Sequence, residues 1–350
     1  MIKIRQPLYF SEIGKKDNQE DYLFPMDADT DTRTFILCDG MGGHDNGEVA
    51  SMTTANALGD YLSSCSEIDI PTFEAGLSKA YDALDEMVAD SNKKPGTTMA
   101  CLCLNDNDYL VAHIGDSRIY HVRPSLYNSE TKRGGILYQS SDHSLVNDLL
   151  KAGEIDEEEA RNFPQKNVIT RAMQPNLDKR YKADIYTFDD IKEGDYFFLC
   201  CDGILEQLSN EMLCEILADR KLNDSQKISK IKAICDFNTR DNYSCWLIPI
   251  DKVIIKENNS VSSVILANSE NENPEDDSNF PSYFAKPNIR QNKIRRFSPI
   301  IYWILTILAT LILLWGIYIA YSFFKTPEKI EQEAKIEKIN KEPKTEKRLK

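Results

Sequence analysis

The sequence predicts an α+β fold, and three of its features carry that prediction. Strand-like segments come in sets and helix-like segments come in sets, rather than alternating one by one. Four strand candidates fall within residues 97–139, each bounded by Asn, Asp, Gly or Pro, and connections this short imply antiparallel pairing. Two apolar runs, one over Phe35 to Cys38 and one over Tyr196 to Cys201, end abruptly in Asp-Gly. Each reads as a buried strand that delivers a carboxylate, Asp39 or Asp202, to the mouth of a site.

In chain order, residues 1–10 alternate and predict a first strand, and Gly14 to Asp21 make a polar loop. The Phe35 run follows. Behind its carboxylate, Gly40, Gly42 and Gly43 let the backbone bend sharply and approach a ligand, so the carbonyl next to Asp39 can join the side chain as an oxygen donor. A lone Asp-Gly usually closes a hairpin, but its recurrence behind two apolar strands points to one shared metal site. Gly47 to Cys65 and Phe73 to Ala89 carry Ala, Leu and Met at helical spacing and predict two amphipathic helices packed on a sheet. Strands are expected at Thr97 to Leu104, Tyr109 to Ile114, Arg118 to Val122 and Gly135 to Gln139. Short helices at Ser144 to Ala152 and Asp156 to Asn162 come next, then strands at Ala183 to Phe188 and Tyr196 to Cys201. Helices at Asn210 to Arg220 and Ser225 to Phe237 precede a last strand at Ser244 to Ile250.

Composition then divides the chain into a folded domain over residues 1–251, an acidic and polar, mostly disordered linker over 252–297, an apolar stretch over 298–324 and a Lys/Glu tail over 325–350. The apolar stretch exceeds the ~20 residues that cross a bilayer. Tyr302 and Trp303 at one end and Tyr318, Tyr321, Phe323 and Phe324 at the other match interfacial belts, which predicts a transmembrane helix. With no apolar leader near Met1, the large domain is expected in the cytoplasm and the tail across the cell membrane. The tail reads equally as a solvated face or a partner-binding helix. A formal charge of −14 argues against nucleic acid as a partner, because no folded segment carries a basic stripe. Nine cysteines, mostly inside apolar runs and without a CxxC pair, read as reduced core residues rather than a disulfide or zinc framework.

Three further carboxylate positions lie at element ends: Glu20-Asp21 closing the first loop, Asp116 between two strands, and Asp241 before the last strand. With Asp39 and Asp202 they offer oxygen ligands only, and no His-x-His or Glu-x-x-His accompanies them, which selects magnesium or manganese over zinc. Two such ions roughly 3.5–4 Å apart can activate a water and orient it for in-line attack on phosphorus. The residues therefore point to a dinuclear phosphoester hydrolase without choosing the ester. His113 and His121 lie in strands and read as structural. His44 and His143 sit in loops and are not read as ligands. Cys214 to Arg220 has the C-x5-R spacing of cysteine-dependent phosphatases, but it lacks glycines for an anion nest and reads as helix.

The motifs Lys16…Asn18-Gln19-Glu20-Asp21, Asp39-Gly40-Met41-Gly42-Gly43-His44, Gly96-Thr97-Thr98, Gly115-Asp116-Ser117-Arg118, Asp142-His143-Ser144, Asn167…Ile169-Thr170-Arg171-Ala172, Cys201-Asp202-Gly203 and Asp241-Asn242 stand in the order of a known family. Over residues 1–251 the chain resembles the bacterial branch of the metal-dependent type 2C serine/threonine protein phosphatases. The resemblance implies two antiparallel sheets sandwiched between helical layers, with two Mn2+ or Mg2+ ions at one edge. It implies that Asp39 bridges the ions while the Gly40 carbonyl binds one of them. Asp202 and Asp241 would hold the other, Glu20 and Asp21 would bind or orient its waters, and Asp116 would support a third, weaker metal. A metal-bridging water would attack the phosphorus directly, with Asp39, Asp202 and Asp241 as the catalytic set.

Three positions depart from the family pattern. Lys16 stands where an arginine usually clamps the substrate phosphate, offering a point charge without the planar fork. Met41 occupies the place of a histidine proposed as general acid in animal members. Cys201 replaces a more usual serine, a small buried swap expected to be neutral. The expected function is a membrane-tethered phosphatase acting on phosphoserine and phosphothreonine in cytosolic proteins, with a Ser/Thr kinase as its opposing partner. A catalytically silent phosphoprotein-binding module is the alternative, and the retention of Asp39, Asp202 and Asp241 counts against it. A nucleotide hydrolase is disfavoured by the acidic chain and the absence of a Walker-type loop.

Overall fold

The computed structural model describes residues 1–41, 46–88, 95–161, 163 and 168–254. The chain divides into the units Met1–Ser262 and Ser263–Lys350, and every described residue belongs to the first. The apolar stretch at 298–324, the tail, and Gly42, Gly43, His44 and Asn167 of the motifs lie outside the described residues. Among those described, no helix is long and apolar enough to cross a membrane.

The unit opens with strands β1 (Ile2–Ile4), β2 (Leu8–Glu12), β3 (Asp21–Phe24) and β4 (Thr34–Met41), followed by helices α1 (Gly47–Ser63) and α2 (Ile70–Met87). Strands β5 (Gly96–Thr97), β6 (Met99–Leu104), β7 (Tyr109–Ile114), β8 (Arg118–Val122) and β9 (Ile136–Gln139) come next, with one 3-10 turn at Pro124–Leu126. Helices α3 (Leu145–Ala152) and α4 (Glu157–Arg161) lead into β10 (Asp184–Phe188) and β11 (Tyr196–Cys200). The chain continues through α5 (Asp202–Leu205), α6 (Asn210–Ala218) and α7 (Asp224–Cys235) to β12 (Tyr243–Val253).

Two antiparallel sheets result. One has the order β1-β12-β11-β8-β9, with β2 also on β12, and the other the order β10-β7-β6-β4-β3, with β5 also on β4. The apolar run of β4 is explained by burial of both of its faces. Phe35 and Leu37 join the core shared with the first sheet, whereas Ile36 and Cys38 pack with Leu58, Phe73 and Leu77 of α1 and α2. Trp246 of β12 anchors the space between the sheets, edge-on to Phe35 at 5.4 Å, and donates its indole N–H to the Ile36 carbonyl at 3.2 Å. Leu213 and Leu217 of α6 and Ile231 of α7 belong to the same core as the first sheet. Local signals set the helix starts. The Asp69 side chain accepts from the Thr72 N–H at 2.9 Å, and Asn223 with Gln226 forms a reciprocal capping box on α7.

The structure corrects several expected elements. The first strand is split into β1 and β2 around Pro7, which has no N–H for the ladder, and both pieces pair with β12. Strand β3 was not anticipated, because four residues beginning in a carboxylate carry no periodicity of their own. The last strand runs to Val253, since β1 pairs with its far end. Helices α6 and α7 stop two residues short of the expected ends. Cys214 lies on α6 with 2% exposure, so the C-x5-R spacing forms no loop.

Candidate metal centre

The antiparallel register of β3 on β4 sets Asp21 opposite Asp39. The Gly40 N–H donates to the Glu20 carbonyl at 3.0 Å. A Cβ at Gly40 would stand 2.6 Å from that carbonyl oxygen and closer still to the carbonyl of Gly47, so only glycine lets β4, the Glu20 segment and the start of α1 meet. The Asp39 backbone is pinned from both sides: its carbonyl accepts the Thr98 N–H at 2.9 Å, and its N–H donates to Thr98 Oγ1 at 3.0 Å. From the other sheet, β11 ends at Cys200 and Asp202 opens α5, while Asp241 precedes β12. Asn242 ties the two sides together. Its Oδ1 accepts the Glu20 N–H at 2.8 Å, and its Nδ2 donates to the carbonyls of Ile13 and Asn18 at 2.8 and 2.9 Å.

Concentrating this charge has a large electrostatic effect. Burial, and then the charges of Asp21, Asp202, Asp116 and Asp241, push the Asp39 carboxyl well above the usual carboxylate range. Burial raises Asp21 to about 7 despite hydrogen bonds from Ser244 and Cys201. It raises Asp116 to about 7 with help from Asp202 and Asp142, and Asp202 to about 6 with help from Asp241 and Glu206. Glu20 is raised by burial and lowered in part by Lys16. Lys16 Nζ lies 2.8 Å from Asp241 Oδ1, and that hydrogen bond raises the ammonium above its ordinary value. Glu20 Oε1, Asp21 Oδ1, Glu48 Oε2 and Asp116 Oδ1 are buried with no hydrogen-bond partner among the described residues. Buried carboxylate oxygens without donors are costly, and a dication removes that cost. An all-oxygen set with orphaned acceptors fits magnesium or manganese. The structure thus brings Glu20, Asp21, Asp39, Gly40, Asp116, Asp202, Asp241 and Lys16 to one edge of the two sheets.

An open groove of about 860 Å3 runs past this edge, lined among others by Asp116, Arg118, Asp142, Asp202, Arg240 and Asp241. Arg118 forks onto Asp142 with two bonds of 2.7 Å, bracing the wall beside Asp116. The two histidines of this region serve the scaffold. His143 Nδ1 accepts the Gly115 N–H at 3.1 Å, its ring stacks on His113 at 4.7 Å, and burial lowers both imidazoles. Together they support the turn that presents Asp116. Sequence reasoning did not assign Asn242 its bridging task or place Arg240 at the site, and it gave Glu48 and Cys201, though both stand in the motifs, no role there. Cys201 reaches the site through Asp21, whose Oδ2 lies 3.2 Å from Cys201 Sγ.

Comparison with known proteins gives concordant results. The profile of the protein phosphatase 2C family matches residues 11–227. A putative protein phosphatase 2C-type from Streptococcus pyogenes serotype M6 is 34% identical over 222 residues, which cover 60% of this chain and 83% of the relative. The serine/threonine phosphatase PstP/Ppp of Mycobacterium tuberculosis superposes with a TM-score of 0.60 at 25% identity, over 71% of this chain and 100% of that one. The catalytic domain of PstP in complex with two manganese ions gives 0.58 at 25% identity, over 72% and 100%.

Proposed function

The chain belongs to the protein phosphatase 2C family and is a protein serine/threonine phosphatase, and we propose that Asp39, Asp202 and Asp241 hold two manganese or magnesium ions at its catalytic centre. The observation that carries this is a cluster of buried carboxyls, Glu20, Asp21, Asp39 and Asp116, whose proton affinities are raised by burial and then by neighbouring carboxylates, with orphaned oxygens on Glu20, Asp21 and Asp116. When bound, such ions lower the pKa of a water and offset charge on the phosphate. The protein's own groups do the rest. Asp39, on β4 opposite Asp21, would serve both ions, and the Gly40 carbonyl would be a further oxygen donor to one. Glu20 and Asp21 would orient water from the β3 side, and Asp116 would support a third, weaker ion. Lys16, held on Asp241, offers its ammonium to the substrate phosphate. Met41 has no proton to give, so the leaving oxygen is protonated from another position.

The substrates we propose are phosphoserine and phosphothreonine proteins of the cytoplasm, placed there by a Ser/Thr kinase. Residues 298–324 anchor the enzyme in the cell membrane, with the catalytic domain inside. The supporting features are the length of the apolar stretch, its aromatic ends, and Lys286, Arg290, Lys293, Arg295 and Arg296 on its near side. Phosphate release by the full chain from phosphoserine and phosphothreonine peptides tests the chemistry. It should require manganese or magnesium, stop on chelation and exceed release from phosphodiesters and nucleotides. Activity that survives chelation, or a preference for diesters, removes the assignment. Protease outside intact cells should trim an epitope after Lys350 and spare one before Met1; the reverse pattern overturns the topology.

A further inference from the structure

Cys201 was expected to be a neutral substitute for serine, and its surroundings make it more than that. It is fully buried just past the end of β11, one residue before Asp202. Its Sγ donates to Asp21 Oδ2 at 3.2 Å and accepts the Ser244 N–H at 3.1 Å. Ligand atoms of Asp21, Asp39 and Cys201 all lie within 4.8 Å of one another. The other Asp21 oxygen, Oδ1, is an orphan on a side chain only 5% exposed. A soft sulfur donor therefore stands against a buried carboxylate whose other oxygen has no partner.

Geometry and ligand chemistry decide which ions gain from this. Zn–S near 2.3 Å and Zn–O near 2.0–2.2 Å place the ligand atoms of a tetrahedral site roughly 3.3–3.6 Å apart. The Cys201–Asp21 contact at 3.2 Å is already that short, and separations of up to 4.8 Å reach it by closing up to about 1.5 Å. Hard ions gain little from a sulfur ligand, whereas zinc and similar ions gain strongly. We propose that Cys201, Asp21 and Asp39 form a thiolate-bearing site for a thiophilic divalent cation of the zinc class, in competition with the ions of the catalytic pair. On binding, the S–H bond breaks, a sulfur–metal bond forms and the thiol proton leaves to solvent, together with any proton held by the Asp21 and Asp39 carboxyls; no electron is transferred. Occupation removes Asp39 from the catalytic pair, so a zinc-class ion opposes manganese at this centre. The inference rests on the reading of Asp39 as a metal holder.

The test uses the full chain with zinc, with cobalt(II) as a spectroscopic probe and with manganese as control. Cobalt should produce a sulfur-to-metal charge-transfer band in the near ultraviolet, absent in Cys201→Ser. Zinc affinity, measured by competition with a chromophoric chelator, should fall at least tenfold in that variant. X-ray absorption of the wild-type zinc complex should show one sulfur at about 2.3 Å, a readout that needs no variant to fold. A zinc shell without sulfur, or a cobalt band that survives Cys201→Ser, overturns the proposal. Manganese binding by the wild-type chain separates the two ideas. If manganese binds and no sulfur ligation is seen, only the Cys201 site fails; if manganese does not bind, the metal-centre reading fails with it.

Discussion

Replacing Asp116 by asparagine in the ion-free protein should flatten the pH dependence of folding stability. Burial, reinforced by Asp202 and Asp142, holds the folded-state carboxyl at about 7, against 3.8 in an unperturbed chain. A carboxyl raised in this way contributes its stability in full below the unfolded value and loses it as the pH climbs through the folded one. At about 1.4 kcal/mol for each tenfold change in proton affinity, the whole swing is about 4 kcal/mol. About 2.5 kcal/mol of it falls between pH 5 and pH 8. Asparagine is uncharged at both pH values, so the variant lacks this share. Urea unfolding of both proteins with a chelator present, at pH 5 and pH 8, reads it directly. Moving from pH 5 to pH 8 should penalise the wild type by about 2 kcal/mol more than Asp116→Asn. Saturating manganese should abolish that difference, because a bound dication favours the ionised carboxylate. Equal swings in wild type and variant without metal would refute the electrostatic reading of the site.

Three more outcomes are expected. Asp39→Asn and Asp202→Asn should each lower manganese-dependent turnover by about 100-fold or more while the circular dichroism spectrum is unchanged, since each removes a charge facing two dications; near-full turnover at saturating manganese would sink the dinuclear assignment. Lys16→Ala should raise KM about fivefold and Lys16→Arg should not, the effect being modest because the Lys16 side chain is 46% exposed and its charge is screened; an unchanged KM for the alanine variant would take Lys16 out of the substrate site. Gly40→Ala should cost about 3 kcal/mol or more and lower Tm visibly, because the new Cβ meets the carbonyls of Gly47 and Glu20; a variant of wild-type Tm would show that this crossing can relax.

The sequence by itself determined those parts of the protein whose signal is complete within about ten residues. The apolar runs ending at Asp39 and Asp202 could be read as strands that present carboxylates, because the switch from apolar to Asp-Gly is local. The helices could be read from their spacing, and the hard-ion preference from the absence of a His-x-His or Glu-x-x-His pattern among the acids. Tertiary structure decided everything that depends on a partner far along the chain. Strand β3 exists because β4 offers it an edge, and only that register puts Asp21 across from Asp39. Asn242 reaches back 222 residues to the Glu20 N–H, and Cys201 meets an Asp21 carboxylate 180 residues away. The raised proton affinities of Asp21, Asp116 and Asp202 likewise belong to no single segment. They arise because two sheets bring their acidic ends to one buried edge, where each charge loses its water and feels the others.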